Sequence, residues 1–440
     1  MPAPVRVILA TGLPPGALAL HPGFEGADLT LSFAGRRRNV IFDPGRLVKL
    51  LGCDLPDRLW DLLEIALTVY VADIAFPRGE NEDWVRHTSL LVPVREVELW
   101  REIEPQLAEF LYVLSHDSYA FEFVGRAEGQ RPTAQAEKRR TNHDCVALLS
   151  GGIDSFAGAT MLLATGRQPL FVAHRAQNPA IVTAQERVRK ALARRFEREV
   201  ELAAVSCGPV KSTDTEYPYP PPEQRETSQR TRSFFFLSLG AVACHAVGAK
   251  VLFCPENGVL ALNLPLTEAR VGGYSTASTR PRTLARFAKL LAALGVEVRV
   301  DNPFVYQTKA QLTRDVLRPH FSTAEIQSAV SCWMAGRSAR PCGGCVPCLI
   351  RAITMEIAGL PREAHMIDPL TTGSTTGPES AARANLVDLL TFTHRFRSLD
   401  DDELLRAYPV LLELPPEVSI RAAVAMLRRF AEEATAVLEG

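Results

Sequence analysis

Ser150-Gly151-Gly152-Ile153-Asp154-Ser155 is the hexapeptide on which the reading of this 440-residue chain turns. It follows an apolar run, Cys145 to Leu149. It precedes a stretch, Phe156 to Ala164, with the apolar pattern of a helix. Strand, glycine-rich turn and helix in that order make an anion site for physical reasons. Two glycines let the backbone turn sharply and approach a phosphate closely. The amides of the turn and of the helix start point outward and carry partial positive charge. Ser150 and Ser155 add hydroxyl donors, and Asp154 is placed to hold a magnesium ion beside the phosphates. The loop lacks the lysine of a Walker loop, so it is not a GTPase-type site. The plainer alternative is a strand-to-helix turn that Asp154 and Ser155 merely cap.

Downstream of the loop, β-rich apolar runs alternate with helical ones. The runs Cys145 to Leu149, Leu170 to Ala173, Glu199 to Val205, Val251 to Cys254 and Val296 to Val300 read as strands. Ile181 to Phe196, Ser233 to Val247 and Leu284 to Leu294 read as helices. Apolar strands separated by helices predict an α/β domain, a parallel sheet with helices on both faces. Two long loops interrupt it, Tyr217 to Glu226 and Leu262 to Arg280, and long loops in a compact domain are often functional.

Cys332, Cys342, Cys345 and Cys348 follow the spacing C-x9-C-x2-C-x2-C. Two short intervals let neighbouring thiolates converge on one ion, and the longer one returns the first ligand. Four thiolates make a closed tetrahedral set, which points to structural zinc; an iron–sulfur cluster is the rival. The other five of the nine cysteines (Cys53, Cys145, Cys207, Cys244 and Cys254) fall mostly in apolar runs and read as core.

The hexapeptide matches the SGGxDS signature of the PP-loop ATP pyrophosphatases, whose fold is adenine nucleotide alpha hydrolase-like. That resemblance implies cleavage of ATP between its α- and β-phosphates and transfer of AMP. The nucleotide is then expected on Ser150, Gly151, Gly152, Ile153, Asp154 and Ser155, with adenine against the second strand near Val172 and His174. The phosphate loop and the cysteine pattern together resemble the 7-cyano-7-deazaguanine synthase family, QueC, over about Cys145 to Leu360. The stretch Arg232 to Leu239, the pair Gly248–Ala249, Asn257, the pair Thr308–Lys309 and Arg351 also fit that family. The resemblance implies Asp154, Ser155, Arg232 and Lys309 as catalytic residues, Glu256, Asn257 and Arg280 on the substrate side, and ATP, magnesium and zinc as cofactors. Lys309 is a candidate phosphate contact; the plain reading is an exposed lysine at a helix start.

Three departures stand out. The family has no equivalent of residues 1 to about 140. Of its polar stretch after the second strand only Gln177 remains. Its glycine-tyrosine-proline-aspartate-cysteine-arginine segment is replaced by Gly273–Tyr274–Ser275 through Thr279–Arg280–Pro281. In these respects the chain is more similar to the enlarged QueC-like proteins of bacterial anti-phage operons, QatC of the Qat system and the QueC-like protein of type IV CBASS. The resemblance implies adenylation of a 7-deazaguanine carboxylate and its coupling to an amine, the N-terminus of a partner protein from the same operon. Ammonia as nucleophile, giving a nitrile as in queuosine biosynthesis, is the alternative. A tRNA-modifying PP-loop enzyme and a non-enzymatic ATP-binding partner are further rivals. Asp154→Ala is expected to abolish AMP formation and leave the fold intact.

Working outward to the rest of the chain, residues 1–125 read as an α+β region without a chemical motif. Leu29 to Phe33 and Arg38 to Phe42 look like two strands around Ala34–Gly35, Pro56 to Ala72 and Val97 to His116 like helices, and Trp84 to Val94 like a strand. This region is expected to bind a partner. Residues 126–143 read as a polar linker, 144–375 as the ATP pyrophosphatase domain with its zinc site, and 376–440 as a helical tail. A hydrophobic fraction of 47% and a charged fraction of 22% suit a globular protein. A net charge of −1 argues against general nucleic-acid binding. The apolar run from Val5 to Leu20 is broken by Gly12, Pro14, Pro15 and Gly16, so neither a membrane span nor a signal peptide is expected, and the location expected is the cytoplasm.

Overall fold

The computed structural model describes residues 4–43, 48–49, 51, 55–79, 85–127, 142–175, 178–266, 277–332, 334, 340–368 and 377–438. Among them, β1 (Val5–Leu9), β2 (Leu29–Leu31), β3 (His87–Val94) and β4 (Ser118–Gly125) form a sheet in the order β2-β1-β3-β4. Every pairing in it is parallel. The hairpin expected around Ala34–Gly35 does not form. Leu29–Leu31 pairs with β1, and Val40–Ile41 pairs antiparallel with Gly208–Pro209. The reason is Asn39. Its side chain accepts from the Ser32 amide at 2.8 Å and donates to the Thr30 carbonyl at 2.8 Å, taking backbone groups that a hairpin partner would need.

The second sheet contains β5 (Cys145–Leu148), β6 (Pro169–His174), β7 (Leu202–Val205), β8 (Val251–Phe253) and β9 (Arg299–Asp301), in the order β9-β8-β5-β6-β7. It too is parallel throughout, as the apolar runs predict. The strand carrying the phosphate loop therefore lies at the centre. The chain runs first to one side of β5 and then to the other, so a crevice opens at the carboxyl ends of the strands, where such sheets bind ligands.

The two sheets share one core. Helix Asp57–Ala75 packs on helix Arg232–Val247, and helix Val97–Ser115 packs on helix Pro281–Ala293. The Phe110 ring lies 5.1 Å from Phe234 and 5.5 Å from Phe287. Every residue from Leu59 to Ala75 is buried. The charges on this helix are paired: Asp61 with Arg95, and Glu64 with Arg95 and Arg126. Asp73 pairs with Arg86, whose guanidinium also reaches Asp117. The Pro-rich loop is fastened to the same helix, with Tyr219 Oη donating to the Val71 carbonyl at 2.7 Å and the Glu226 amide to that of Ile74 at 2.9 Å.

The expected C-terminal helices are Gly377–Ser398, Asp401–Ala407 and Ile420–Leu438. They pack around helix Val346–Ile357 and the short helix Gly258–Leu262 in one hydrophobic cluster. Gly258 has to be glycine. A Cβ there would stand 2.3 Å from the Val305 carbonyl oxygen and 2.5 Å from Met426 Cε. Among the described residues no helix is long and apolar enough to cross a membrane. Cys53, Gln177, the segment Gly273–Tyr274–Ser275 and residues 128–141 of the expected linker lie outside the described residues.

Candidate functional site

The loop Ser150–Ser155 leaves β5 and enters helix Ile153–Ala164. Gly151 has φ +86°, and a Cβ on it would lie 2.9 Å from the Gln185 amide nitrogen, so both conformation and space require glycine. The hydroxyls of Ser150 and Ser155 lie 3.1 Å apart. The Gly152 amide donates to Ser150 Oγ at 3.3 Å, and Ser155 Oγ donates to the Gly152 carbonyl at 3.0 Å. Ile153 is fully buried and serves the fold through its side chain.

Asp154, in the first turn of this helix, is the hub of the site. Lys309 Nζ donates to its Oδ2 at 2.5 Å, and Asn257 Nδ2 to its Oδ1 at 3.1 Å. Lys309 is 2% exposed, so the reading of a solvated helix-start lysine is set aside. Thr308 caps the helix that begins at Lys309 by accepting from the Gln311 amide, and its hydroxyl donates to Glu433 of the last helix at 2.9 Å. Asn257 caps helix Gly258–Leu262 through the Leu260 amide. Its Nδ2 also lies 3.3 Å from Glu256 Oε1. Glu256 keeps some exposed surface, yet enclosure of its carboxyl and the neighbouring charge of Asp154 push its pKa well above the usual carboxylate range. The turn bearing both residues is fixed by Asn302, which accepts from the Glu256 amide at 3.1 Å and donates to its carbonyl at 2.8 Å. Asn302 escaped the sequence reading, although Asn302–Pro303 just after β9 is a turn signal.

A second group gathers at the end of β6. His174 Nε2 lies 3.1 Å from the Cys207 carbonyl, and its ring is 5.3 Å from Phe236. Arg232 stands over Phe236 at 5.6 Å with its guanidinium exposed. Gln185 joins the two groups: its backbone abuts Gly151 and its Nε2 donates to the His174 carbonyl at 3.0 Å. No local pattern marks Gln185 in the sequence. Val172 is buried inside the sheet, its carbonyl accepting from the Leu149 amide at 2.9 Å. Arg280 lies elsewhere, its guanidinium donating to the carbonyls of Leu262 and Asn263 at 3.2 Å each, where it secures the end of helix Gly258–Leu262.

Burial, assisted by the charge of Arg232, lowers the His174 pKa to about 4. A histidine depressed this far is neutral in the fold at neutral pH. The unfolded chain binds the extra proton between about pH 6.5 and 4, so stability falls as pH falls through that window. His174→Phe is expected to lose this acid sensitivity, worth up to about 3 kcal/mol at pH 4. Urea unfolding of both proteins from pH 4 to 7 checks it.

The four cysteines meet as their spacing predicts. All four Sγ atoms lie within 4.8 Å of one another, with Cys332 to Cys345 at 4.0 Å and Cys342 to Cys348 at 3.8 Å. Four thiolates about 2.3 Å from one zinc ion stand roughly 3.8 Å apart, so the set fits zinc. An iron–sulfur cluster interposes several metal atoms and would spread them. The site is tied to the phosphate loop. Arg351, on the helix that begins after Cys345, donates to the carbonyls of Ala329 at 2.6 Å and Gln327 at 3.0 Å and pairs with Glu363. Val330, in the segment so held, donates its amide to the Gly151 carbonyl at 2.9 Å. The cysteines expected to be core, Cys145, Cys207, Cys244 and Cys254, are buried.

Residues 144–359 match the family described as Queuosine biosynthesis protein QueC. The 7-cyano-7-deazaguanine synthase of Ralstonia pickettii is 29% identical over 223 residues, 49% of this chain and 95% of that protein. The enzyme of the same name from Cupriavidus pinatubonensis is 28% identical over 223 residues and 94% of its length. That of Xanthomonas euvesicatoria is 31% identical over 140 residues, 56% of its length. Phosphate loop, parallel sheet, four-cysteine site and sequence match agree: residues 144–359 of this chain are a QueC-like domain.

Proposed function

We propose that this chain is an ATP-dependent enzyme that activates the carboxylate of a 7-deazaguanine-type molecule as an adenylate and couples the acyl group to an amine. One observation carries the reading. Asp154 of the phosphate loop, Lys309, Asn257 and Glu256 meet in one cluster where the central strands β5 and β8 end. The carboxylate oxygen attacks the α-phosphorus of ATP, the α–β bond breaks, and pyrophosphate leaves. The amine nitrogen then attacks the acyl carbon, AMP leaves with the carboxylate oxygen, and the nitrogen loses a proton. The loop amides and the hydroxyls of Ser150 and Ser155 donate to the phosphates, and Lys309 and Arg232 stabilise the negative charge that develops there. Asp154 offers carboxylate oxygens suited to magnesium, which would neutralise charge on the phosphates. Asn257 and Glu256 orient the deazaguanine.

The acceptor is the finer part of the reading. We take it to be the N-terminus of a partner protein in an anti-phage operon. The supports are the region of residues 1–143, which lies outside the family match, and the resemblance to the enlarged defence proteins. Ammonia as acceptor, with a nitrile as product, is favoured by the names of the relatives in Ralstonia and Cupriavidus. Incubating the full chain with ATP and a 7-deazaguanine carboxylate, with its neighbouring gene products or with ammonia, decides between them. The expected result is pyrophosphate release and a deazaguanine-sized mass on one partner. Free 7-cyano-7-deazaguanine with every partner unmodified overturns the acceptor, and no pyrophosphate under either condition overturns the enzyme.

A further inference from the structure

The region of residues 1–143 supplies no group to the Asp154 cluster among the described contacts, but it reaches the other group of the site. Tyr70 and Asp73 lie one turn apart on the buried helix Asp57–Ala75 and so share a face. Asp73 Oδ2 accepts from the Thr231 amide at 2.9 Å and from the Thr231 hydroxyl at 3.0 Å. Thr231 is fully buried and immediately precedes Arg232. Tyr70 Oη donates to Gln229 Oε1 at 3.4 Å, and Arg232 Nη1 donates to the same oxygen at 3.2 Å. The Gln229 carbonyl accepts from the Arg232 amide at 3.3 Å. Arginine has only donors, so the amide oxygen of Gln229 must face it.

Gln229 does this from an unfavourable backbone. Its φ is +46°, in the left-handed region that a residue with a Cβ seldom enters. Glycine would sit there without strain. Glutamine at such a position supplies what glycine lacks, a side-chain oxygen. Resting on the function proposed above, we infer that Gln229 is a positioning residue for Arg232. Tyr70 and Asp73 of the N-terminal region hold it in place, so that region serves ATP binding from a distance. Gln229 takes one of the five guanidinium N–H groups and the Phe236 ring supports one face. The rest of the guanidinium stays exposed beside His174, aimed by these two contacts at the phosphates of a nucleotide that lies along β6.

The test separates positioning from stability. Gln229→Gly removes the oxygen and also the strain. Its thermal midpoint is expected to stay level or rise, while the Kd for magnesium-ATP, measured by calorimetry on the full chain, rises about tenfold. Tyr70→Phe keeps the ring and is expected to raise the Kd about threefold at nearly unchanged midpoint. Arg232→Ala is expected to raise it by more than either. Gln229→Gly with the parent Kd, alongside a weakened Arg232→Ala, overturns the inference and leaves Arg232 as a nucleotide contact. A parent Kd in Arg232→Ala removes that contact and the inference with it. Weaker ATP binding by Gln229→Gly only in proportion to a lost midpoint assigns Gln229 a structural role and likewise overturns the inference.

Discussion

Asp154→Asn is expected to lower AMP formation by at least about a thousandfold, because the loop's only carboxylate loses its charge beside the phosphates. Alanine at the same position is expected to do this and also to destabilise the fold. Lys309 is 2% exposed and donates to Asp154 Oδ2 at 2.5 Å, so removing the carboxylate leaves a buried ammonium without its counter-ion. Breaking such a pair from one side costs about 3–5 kcal/mol. The sequence-level expectation of an intact fold in Asp154→Ala therefore has to be replaced. Adding Lys309→Met to Asp154→Ala is expected to restore much of the stability and none of the turnover, a coupling that unfolding of the two single variants and the double variant measures. AMP formation within tenfold of the parent in Asp154→Asn would take Asp154 out of the chemistry.

Cys345→Ser is expected to reduce bound zinc from about one per chain to a small fraction and to lower the thermal midpoint by roughly 10 °C, the scale of several kcal/mol in a domain of this size. The structure adds a second expectation. Arg351 holds the carbonyls of Gln327 and Ala329, and Val330 between them and Cys332 donates to Gly151 of the phosphate loop. Loosening the metal site should therefore also weaken ATP binding. Elemental analysis and ATP calorimetry on the same preparation check both parts. A brown, iron-bearing protein, or full stability without metal, would refute the zinc assignment.

What the sequence made legible was local. The phosphate loop declares itself because its glycines, hydroxyls and carboxylate are contiguous and sit between a strand pattern and a helix pattern. The cysteines declare themselves because three thiolates spaced three residues apart have few other uses. The parallel sheet followed from strands buried on both faces. What stayed hidden depends on residues that are distant along the chain. Nothing around Lys309 marks it as the counter-ion of Asp154, and nothing around Arg351 shows that it secures the loop. Asn39 read as part of a strand and instead takes the backbone groups of β2 with its side chain, where a hairpin had been expected. The C-terminal helices were expected as a tail and instead stand against Gly258 and Thr308.

Helix Asp57–Ala75 is apolar enough to be covered all round, yet its cover arrives late. About 160 residues separate its end from Arg232, the start of the helix that packs on it. At roughly 5–20 residues per second, a nascent chain carries that uncovered helix for about 8 to 30 s before its partner leaves the ribosome. During synthesis the helix presents a greasy face with embedded acidic side chains whose arginine partners Arg86, Arg95 and Arg126 come sooner than its apolar partner. Charge pairing can thus set the helix on the first sheet while the side meant for helix Arg232–Val247 still waits. The two halves, once joined, should melt as a single cooperative unit.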